Sequence, residues 1–170
     1  MFDNIRADLR AYGGNWTKQG FWVMVVYRFG RWRYGIRPSL FRKAFSLAYK
    51  VMFRAIQVLT GIELPCEAPV GRNLLMDHFG GIVISGYARI GDDCRIGNGV
   101  VIGIRNAGEL GAPTIGNNVD ISAGAVILGD IRIGNHVMIG ANTVVLTDVP
   151  AWSTAIGVPA IITSRRTPTE

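Results

Sequence analysis

The 170-residue chain is poor in the residues that cross-link or metallate small domains, with only two cysteines, Cys66 and Cys94, and two histidines. Two thiols without C-x-x-C spacing make neither a disulfide framework nor a thiolate metal site. A zinc site built from three histidines needs more than one chain can supply here. We therefore expect no disulfide-stabilised fold and no metal cofactor.

Long hydrophobic runs are also missing. The longest, such as FWVMVV at 21–26, is far shorter than the ~20 residues that cross a bilayer. The opening MFDNIRADLR is polar where a secretory signal has an apolar segment. A composition of 49% apolar and 18% charged residues is typical of a globular protein, and we expect a cytoplasmic location.

Acidic residues are scarce in the N-terminal third. Residues 1–60 hold eleven Arg and Lys against two acids, a net charge of +9, whereas the remaining residues hold seven against ten, or −3. The basic, aromatic segment YRFGRWRYGIR fits peripheral contact at the inner face of a membrane, or an acidic polymer. Helices with a solvated arginine face would give the same pattern. No nucleic-acid-binding motif is present, so we expect no nucleic-acid partner.

Two sequence periods divide the chain. Apolar residues at helical spacing, clearest in SLFRKAFSLAYKVMFRAIQVL, predict an α-helical segment over 1–60. Further on, an aliphatic residue recurs every six positions: Ile84, Ile90, Ile96, Ile102, Ile115, Ile121, Ile127, Ile133, Ile139 and Val145. A small or β-branched residue commonly follows four positions later. This period suits neither an α-helix nor a hairpin meander, and it predicts a parallel β-helix over 61–163 whose stacked coils share one interior, followed by a tail at 164–170.

The repeat is interrupted twice. Thirteen positions rather than six separate Ile102 from Ile115, which predicts a protruding loop at 104–113, with Arg105 and Glu109 as candidate acceptor contacts. The second interruption, between Met76 and Ile84, contains the pair Asp77-His78. We expect the chemistry at these interruptions because local rules tend to fail at functional sites.

The hexads, the stretch GIELPCEAPVGRNLLMDHFGGIVIS at 61–85 and GVPA at 157–160 resemble the hexapeptide-repeat acyltransferases, and within them the serine acetyltransferase group. The resemblance covers about two thirds of the chain. It implies a mainly β fold, a left-handed parallel β-helix behind a short helical segment. It also implies a homotrimer, acetyl-CoA as donor and a hydroxyl group as acceptor.

The resemblance also implies roles for three residues. The histidine that matches His78 is the general base, the acid that matches Glu63 orients it, and the aspartate that matches Asp77 helps to hold the acceptor. A neutral imidazole suits this task because its pKa lies near neutrality. Glu63 and Asp77 are also residues that turns favour for structural reasons alone.

The donor site is less residue-specific. By resemblance, acetyl-CoA lies along the later coils, with the candidates Ser122, Ala123, Gly140, Ala141, Gly157, Pro159 and Arg165. Arg165 or Arg166 would pair with its phosphates. The small residues are also those that the turns of the fold require.

The sequence departs from the serine-specific members at two places. Their loop carries an Arg-His pair where this chain has Gly111 and Ala112, and their larger helical domain carries a D-P-A motif that residues 1–60 lack. The chain keeps the histidine base but lacks the residues that bind serine, as do short relatives that act on polysaccharides. The sequence therefore predicts O-acetylation of a sugar hydroxyl on an exopolysaccharide or its precursor. Serine O-acetylation for cysteine biosynthesis is the alternative, followed by a non-enzymatic scaffold.

Overall fold

The computed structural model describes residues 2–37, 39–78, 80–106, 108 and 111–165. The chain begins with α1 (Phe2–Ala11), α2 (Gln19–Trp32) and α3 (Ser39–Thr60), with a 3-10 turn at Arg33–Gly35 between the last two. Within these described ranges no helix is both long and apolar enough to cross a membrane.

The regular elements that follow α3 are short strands. They are β1 (Ile62–Glu63), β2 (Leu75–Met76), β3 (Ile82–Ile84), β4 (Arg89–Ile90), β5 (Arg95–Ile96), β6 (Val101–Gly103), β7 (Thr114–Ile115), β8 (Asp120–Ile121), β9 (Val126–Leu128), β10 (Arg132–Ile133), β11 (Met138–Ile139), β12 (Val144–Val145), β13 (Ser153–Ile156) and β14 (Ile161–Ser164).

The strands line the three faces of a prism. The five-stranded sheet has the order β1-β3-β6-β9-β12, the three-stranded sheet β10-β7-β4, and the six-stranded sheet β14-β13-β11-β8-β5-β2. Pairing is parallel between successive coils, and the closing pair β13–β14 is antiparallel. The chain forms the left-handed parallel β-helix that the resemblance implies.

The hexad residues fill the interior of this prism, as the repeat predicts. Each aliphatic hexad residue is at most 4% exposed, and Ile96, Ile102, Ile121, Ile127 and Ile139 are fully buried. The small positions point inward as well, with Cys94 at 1% and Ala125 at 0% exposure. The strands pair hexad on hexad, for example Ile96 opposite Ile121, so the coils share one continuous core.

The N-terminal helices pack on the first coil of the prism. The Tyr27 hydroxyl donates to the Ala68 carbonyl at 2.9 Å and accepts from the Val70 N–H at 3.0 Å. Arg28 pairs with Asp8 at 2.9 Å, and both side chains are buried. The expectation of a solvated arginine face is therefore wrong at Arg28, because a buried guanidinium needs a charged partner and finds one in α1.

The long helix α3 is apolar on two sides. Tyr49 is buried, and Phe45, Phe53 and Ile56 pack partly buried against the rest of the protein. Phe41, Leu47, Val51, Val58 and Leu59 lie exposed on the opposite side. The inward face is therefore only part of the apolar surface that the sequence shows.

Candidate functional site

His78 lies in a corner of the prism that is longer than its neighbours. Five residues, 77–81, separate the buried Met76 and Ile82, whereas three residues, 97–99, separate Ile96 from Val100 in the next coil. His78 has a left-handed backbone with φ of 62° and is exposed. The interruption of the repeat thus becomes an outward bulge that presents the imidazole to solvent.

This corner belongs to a continuous edge between the six-stranded and five-stranded sheets, hereafter the His78 edge: corners 77–81, 97–99, 122–124 and 140–142. Main-chain hydrogen bonds join successive corners, from the Gly99 N–H to the Gly80 carbonyl at 3.0 Å, the Gly124 N–H to the Asn98 carbonyl at 2.8 Å and the Asn142 N–H to the Ala123 carbonyl at 2.9 Å. The three steps span roughly 14 Å at the usual strand spacing.

Glu63 reaches the same region from the first coil. It lies half-buried in β1, opposite Val83 of β3. The chain just before it touches the long corner, because the Gly80 N–H donates to the Thr60 carbonyl at 2.8 Å. A methyl group on Gly61 would lie 3.0 Å from the Gly80 Cα, so only glycine allows this approach.

The environment of Glu63 is open. It lines a cavity of about 260 Å³ together with Arg54, Gln57 and Val58 of α3. No hydrogen bond joins Glu63 to His78 in the described part of the chain. The two predicted catalytic residues are therefore brought to one region without being paired.

Asp77 is engaged by a residue that the sequence analysis missed. Its carboxylate accepts a hydrogen bond from the Arg95 Nε of β5, which raises the pKa of the guanidinium. The contact arises because Leu75 and Arg95 are register partners in neighbouring coils. The sequence could have predicted this contact only through the register between neighbouring coils, which places Arg95 beside the strand that leads to Asp77.

The strand that leads to His78 is held by Tyr12, the residue that follows α1. The Tyr12 hydroxyl accepts the Met76 N–H at 2.9 Å, and the ring is 8% exposed. Burial raises the pKa of Tyr12 well above its usual value, and the carboxylates of Asp8 and Asp77 add to that rise. The helical segment therefore positions the backbone immediately before the Asp77-His78 pair.

Most donor candidates lie on the His78 edge. Ser122 and Ala123 form one corner and Gly140 and Ala141 the next. Gly157 follows, with its N–H donating to the Thr143 hydroxyl at 3.3 Å, and Pro159 lies beside it in the chain, exposed. Most of the side chains at these corners are therefore small.

Two further candidates, Arg105 and Arg165, lie on the other two edges of the prism. Arg165 donates to the His136 carbonyl, on the edge between the three-stranded and six-stranded sheets. Arg105 is exposed on the third edge, where a methyl group on Gly129 would lie 3.6 Å from its Cβ. Glu109 lies outside the described residues. Within one chain, Arg105 and Arg165 are not brought to His78.

The two positions that depart from the serine-specific pattern are tightly packed. A methyl group on Gly111 would lie 2.4 Å from the Asp130 Cβ, closer than carbon atoms approach. Ala112 is 7% exposed. Larger side chains at 111 and 112 would require the neighbouring coil to move.

Comparison with known proteins agrees with this geometry. Residues 112–147 match the family described as bacterial transferase hexapeptide (six repeats). The serine acetyltransferase of Staphylococcus xylosus is 40% identical over 133 residues, which cover 77% of this chain and 61% of that protein. The serine acetyltransferase of Helicobacter pylori strain J99 is 40% identical over 130 residues, which cover 75% of each.

A solved structure is similar over nearly the whole chain. A serine acetyltransferase in complex with CoA superimposes with a TM-score of 0.78 at 30% identity, over 95% of this chain and 68% of that one. The chain thus spans about three fifths to three quarters of the length of these three proteins.

Proposed function

We propose that this protein transfers an acetyl group from acetyl-CoA to a hydroxyl group. The premise is its family, because the chain belongs to the serine acetyltransferase group of the hexapeptide-repeat acyltransferases. One observation carries the proposal. The exposed His78 and a run of small-residue corners share a single edge of a rigid β-helix. His78 is thereby placed at one end of a surface along which the extended acetyl-CoA molecule can lie.

His78 acts as the general base. Its imidazole takes the proton from the acceptor hydroxyl while that oxygen attacks the thioester carbonyl. The new C–O bond forms, the tetrahedral intermediate collapses, and the C–S bond breaks. The imidazolium then returns the proton to the departing thiolate, which leaves as free CoA. Glu63, which lies in the same region but is not paired with His78 in this structure, is assigned the role of turning toward the imidazole during the reaction and stabilising its charged form.

The acetyl-CoA site is assigned to the His78 edge. The CoA complex of a similar protein supports CoA as the donor, and the small, incompletely buried residues Ala123, Gly140 and Gly157 leave the surface of these corners accessible. Small residues permit the close approach of a narrow ligand.

A homotrimer completes the proposed site. Arg105 and Arg165 lie on edges that do not carry His78, and threefold assembly of prisms brings different edges of neighbouring chains together. Light scattering tests this assembly, which should have the mass of three chains of 18.5 kDa each.

The comparisons favour L-serine as the acceptor rather than the glycan that the sequence predicts. The three similar proteins named above are all serine acetyltransferases. At 40% identity over most of the chain, two of them are close enough for the acceptor to be shared. This assignment requires that residues other than 111 and 112 hold the serine carboxylate.

A specific observation favours a second candidate, a sugar hydroxyl on a glycan. Gly111 abuts Asp130, and Ala112 is buried, so the loop offers no cation at the positions that carry the Arg-His pair in serine-specific members. A small charged acceptor needs a charge-matched pocket. A neutral sugar has no such requirement.

Acceptor assays with the purified protein test the proposal. Release of CoA from acetyl-CoA is followed with L-serine and with a panel of sugars and glycan fragments, with D-serine as a matched control. Turnover with L-serine alone supports the first candidate, and turnover with a glycan alone supports the second. A protein that binds acetyl-CoA but acetylates neither class would contradict the proposed function.

A further inference from the structure

The outward side of α3 forms an unusually apolar surface, hereafter the α3 face. Its large side chains are 37–79% exposed: Leu40, Phe41, Leu47, Val51, Met52, Val58 and Leu59. They run almost the whole length of a helix of 22 residues, about 33 Å at the usual rise. Such a surface on a folded protein marks an interaction site.

The margins of the α3 face are distinct. Lys43, Lys50 and Arg54 follow one side at helical spacing, and α3 has no acidic residue along its length. A shallow apolar cavity of about 610 Å³ lies between this margin and Val58. On the other side Trp32, which is 43% exposed, packs edge-on against Phe45 at 5.5 Å between ring centroids.

We propose that the α3 face docks on an anionic lipid bilayer. Helices that lie in a membrane interface combine a continuous apolar side, a cationic margin and aromatic residues at the boundary. All three features are present, on a helix whose opposite side is anchored to the protein by Tyr49 and Phe53. The helix therefore offers the bilayer a preformed surface and does not have to fold on it.

Charge argues against two α3 faces packing on each other in place of the bilayer. Two α3 faces packed together would bring together only positive side chains, because α3 has no acid to pair with Lys43, Lys50 or Arg54. Like charges at an interface without partners oppose association. The anionic headgroups of a bilayer attract the same residues.

Docking would place the catalytic region near the bilayer. Val58 belongs to the α3 face and also lines the cavity that contains Glu63. A hydroxyl carried on a lipid-linked acceptor would then reach His78 without leaving the membrane surface. This consequence rests on the second candidate of the proposed function, a glycan acceptor, whereas the docking itself does not.

Flotation with vesicles tests the docking without any activity assay. The full chain is mixed with vesicles of phosphatidylcholine alone or with 30 mol% phosphatidylglycerol (a chosen composition, roughly that of an anionic leaflet). The variants are Leu47→Glu with Val58→Glu, and Lys43→Gln with Lys50→Gln and Arg54→Gln. Tyr87→Glu, at a residue that is 62% exposed on the β-helix, is the matched control.

The wild type and the Tyr87 control are expected to float with anionic vesicles and at least about tenfold less with neutral ones. The glutamate pair loses flotation, and the glutamine triple keeps only a small salt-insensitive remainder. Wild type that stays unbound, that floats equally with both vesicles, or that is matched by the glutamate pair would overturn the proposal. Sedimentation velocity completes the test: if the wild type stays unbound and the glutamate pair lowers the mass of its assembly, the occupant is a second copy.

Discussion

The Asp77 carboxylate accepts a hydrogen bond from the Arg95 guanidinium, which projects from β5 of the neighbouring coil, in register with Leu75. The pair is partly open to solvent, with Asp77 at 29% and Arg95 at 59% side-chain exposure. Pairs of this kind contribute little to stability, about 0–1 kcal/mol. Their effect at a site lies in fixing the direction of the carboxylate.

Removal of this contact is expected to affect turnover more than folding. Arg95→Gln leaves the Asp77 carboxylate free to rotate, so acceptor kcat/KM falls about tenfold through loss of orientation, while the melting temperature changes little. Arg95→Lys restores part of the activity because the charge is kept. Steady-state kinetics with calorimetry on the same samples measure both, and a wild-type kcat/KM in Arg95→Gln would refute the positioning role.

The buried pair between Asp8 and Arg28 is expected to dominate the stability of the helical segment. Asp8→Ala leaves a guanidinium with 9% side-chain exposure without its counter-charge, and we expect a loss of about 3–5 kcal/mol in the free energy of unfolding. Asp8→Leu combined with Arg28→Met removes both charges and should lose much less. Urea denaturation of the single and double variants gives the coupling, and strict additivity would contradict it.

Alkaline pH is expected to destabilise the contact between helices and β-helix. Burial raises the pKa of Tyr12, Tyr27 and Tyr49, so the folded state keeps these protons when the unfolded chain, with a pKa near 10, begins to release them. Their stabilisation is complete below pH 10 and is lost as pH rises above it, at up to about 1.4 kcal/mol per pH unit for each tyrosine.

Denaturation midpoints measured from pH 8 to 11 test this behaviour. Tyr12→Phe removes one titrating group and the acceptor of the Met76 N–H. It should be less stable at pH 8 by about 1–3 kcal/mol and show a shallower fall above pH 10. An unchanged slope would mean that Tyr12 does not contribute.

The packing at Gly111 is expected to resist conversion to a serine-specific loop. Gly111→Ala places a methyl group against the Asp130 Cβ and should destabilise the fold by about 1–3 kcal/mol. Asp130→Gly removes the obstructing atom, so the double variant should regain most of that loss. Thermal unfolding of the three variants provides the check, and a neutral Gly111→Ala would show that the loop moves freely.

The repeat in the sequence was sufficient to predict the β-helix and its core. Ile121 and Cys94 point inward because a period of six places one large and one small residue at fixed positions of every coil. The same reasoning located the long corner of His78 as a break in phase. Strictly periodic stacking makes such local predictions hold over the whole domain.

Contacts between non-periodic parts were not predictable in the same way. Asp8 and Arg28 lie in separate helices, and no spacing rule links them. The helix α3 is apolar around much of its circumference, so its sequence does not indicate that Tyr49 faces inward and Val51 outward. The contact between Arg95 and Asp77 depends on the register between coils. The two extra residues of the His78 corner shift that register.

The most direct test of the central claim, that His78 is the base in acetyl transfer, is the rate of CoA release by His78→Asn. Asparagine suits this position because Asn73, Asn118 and Asn142 hold the same left-handed backbone in other corners, so the fold and acetyl-CoA binding should be retained. We predict that kcat falls by about 10²- to 10⁴-fold, whichever acceptor is used. A folded variant that binds acetyl-CoA and turns over at the wild-type rate would contradict the account.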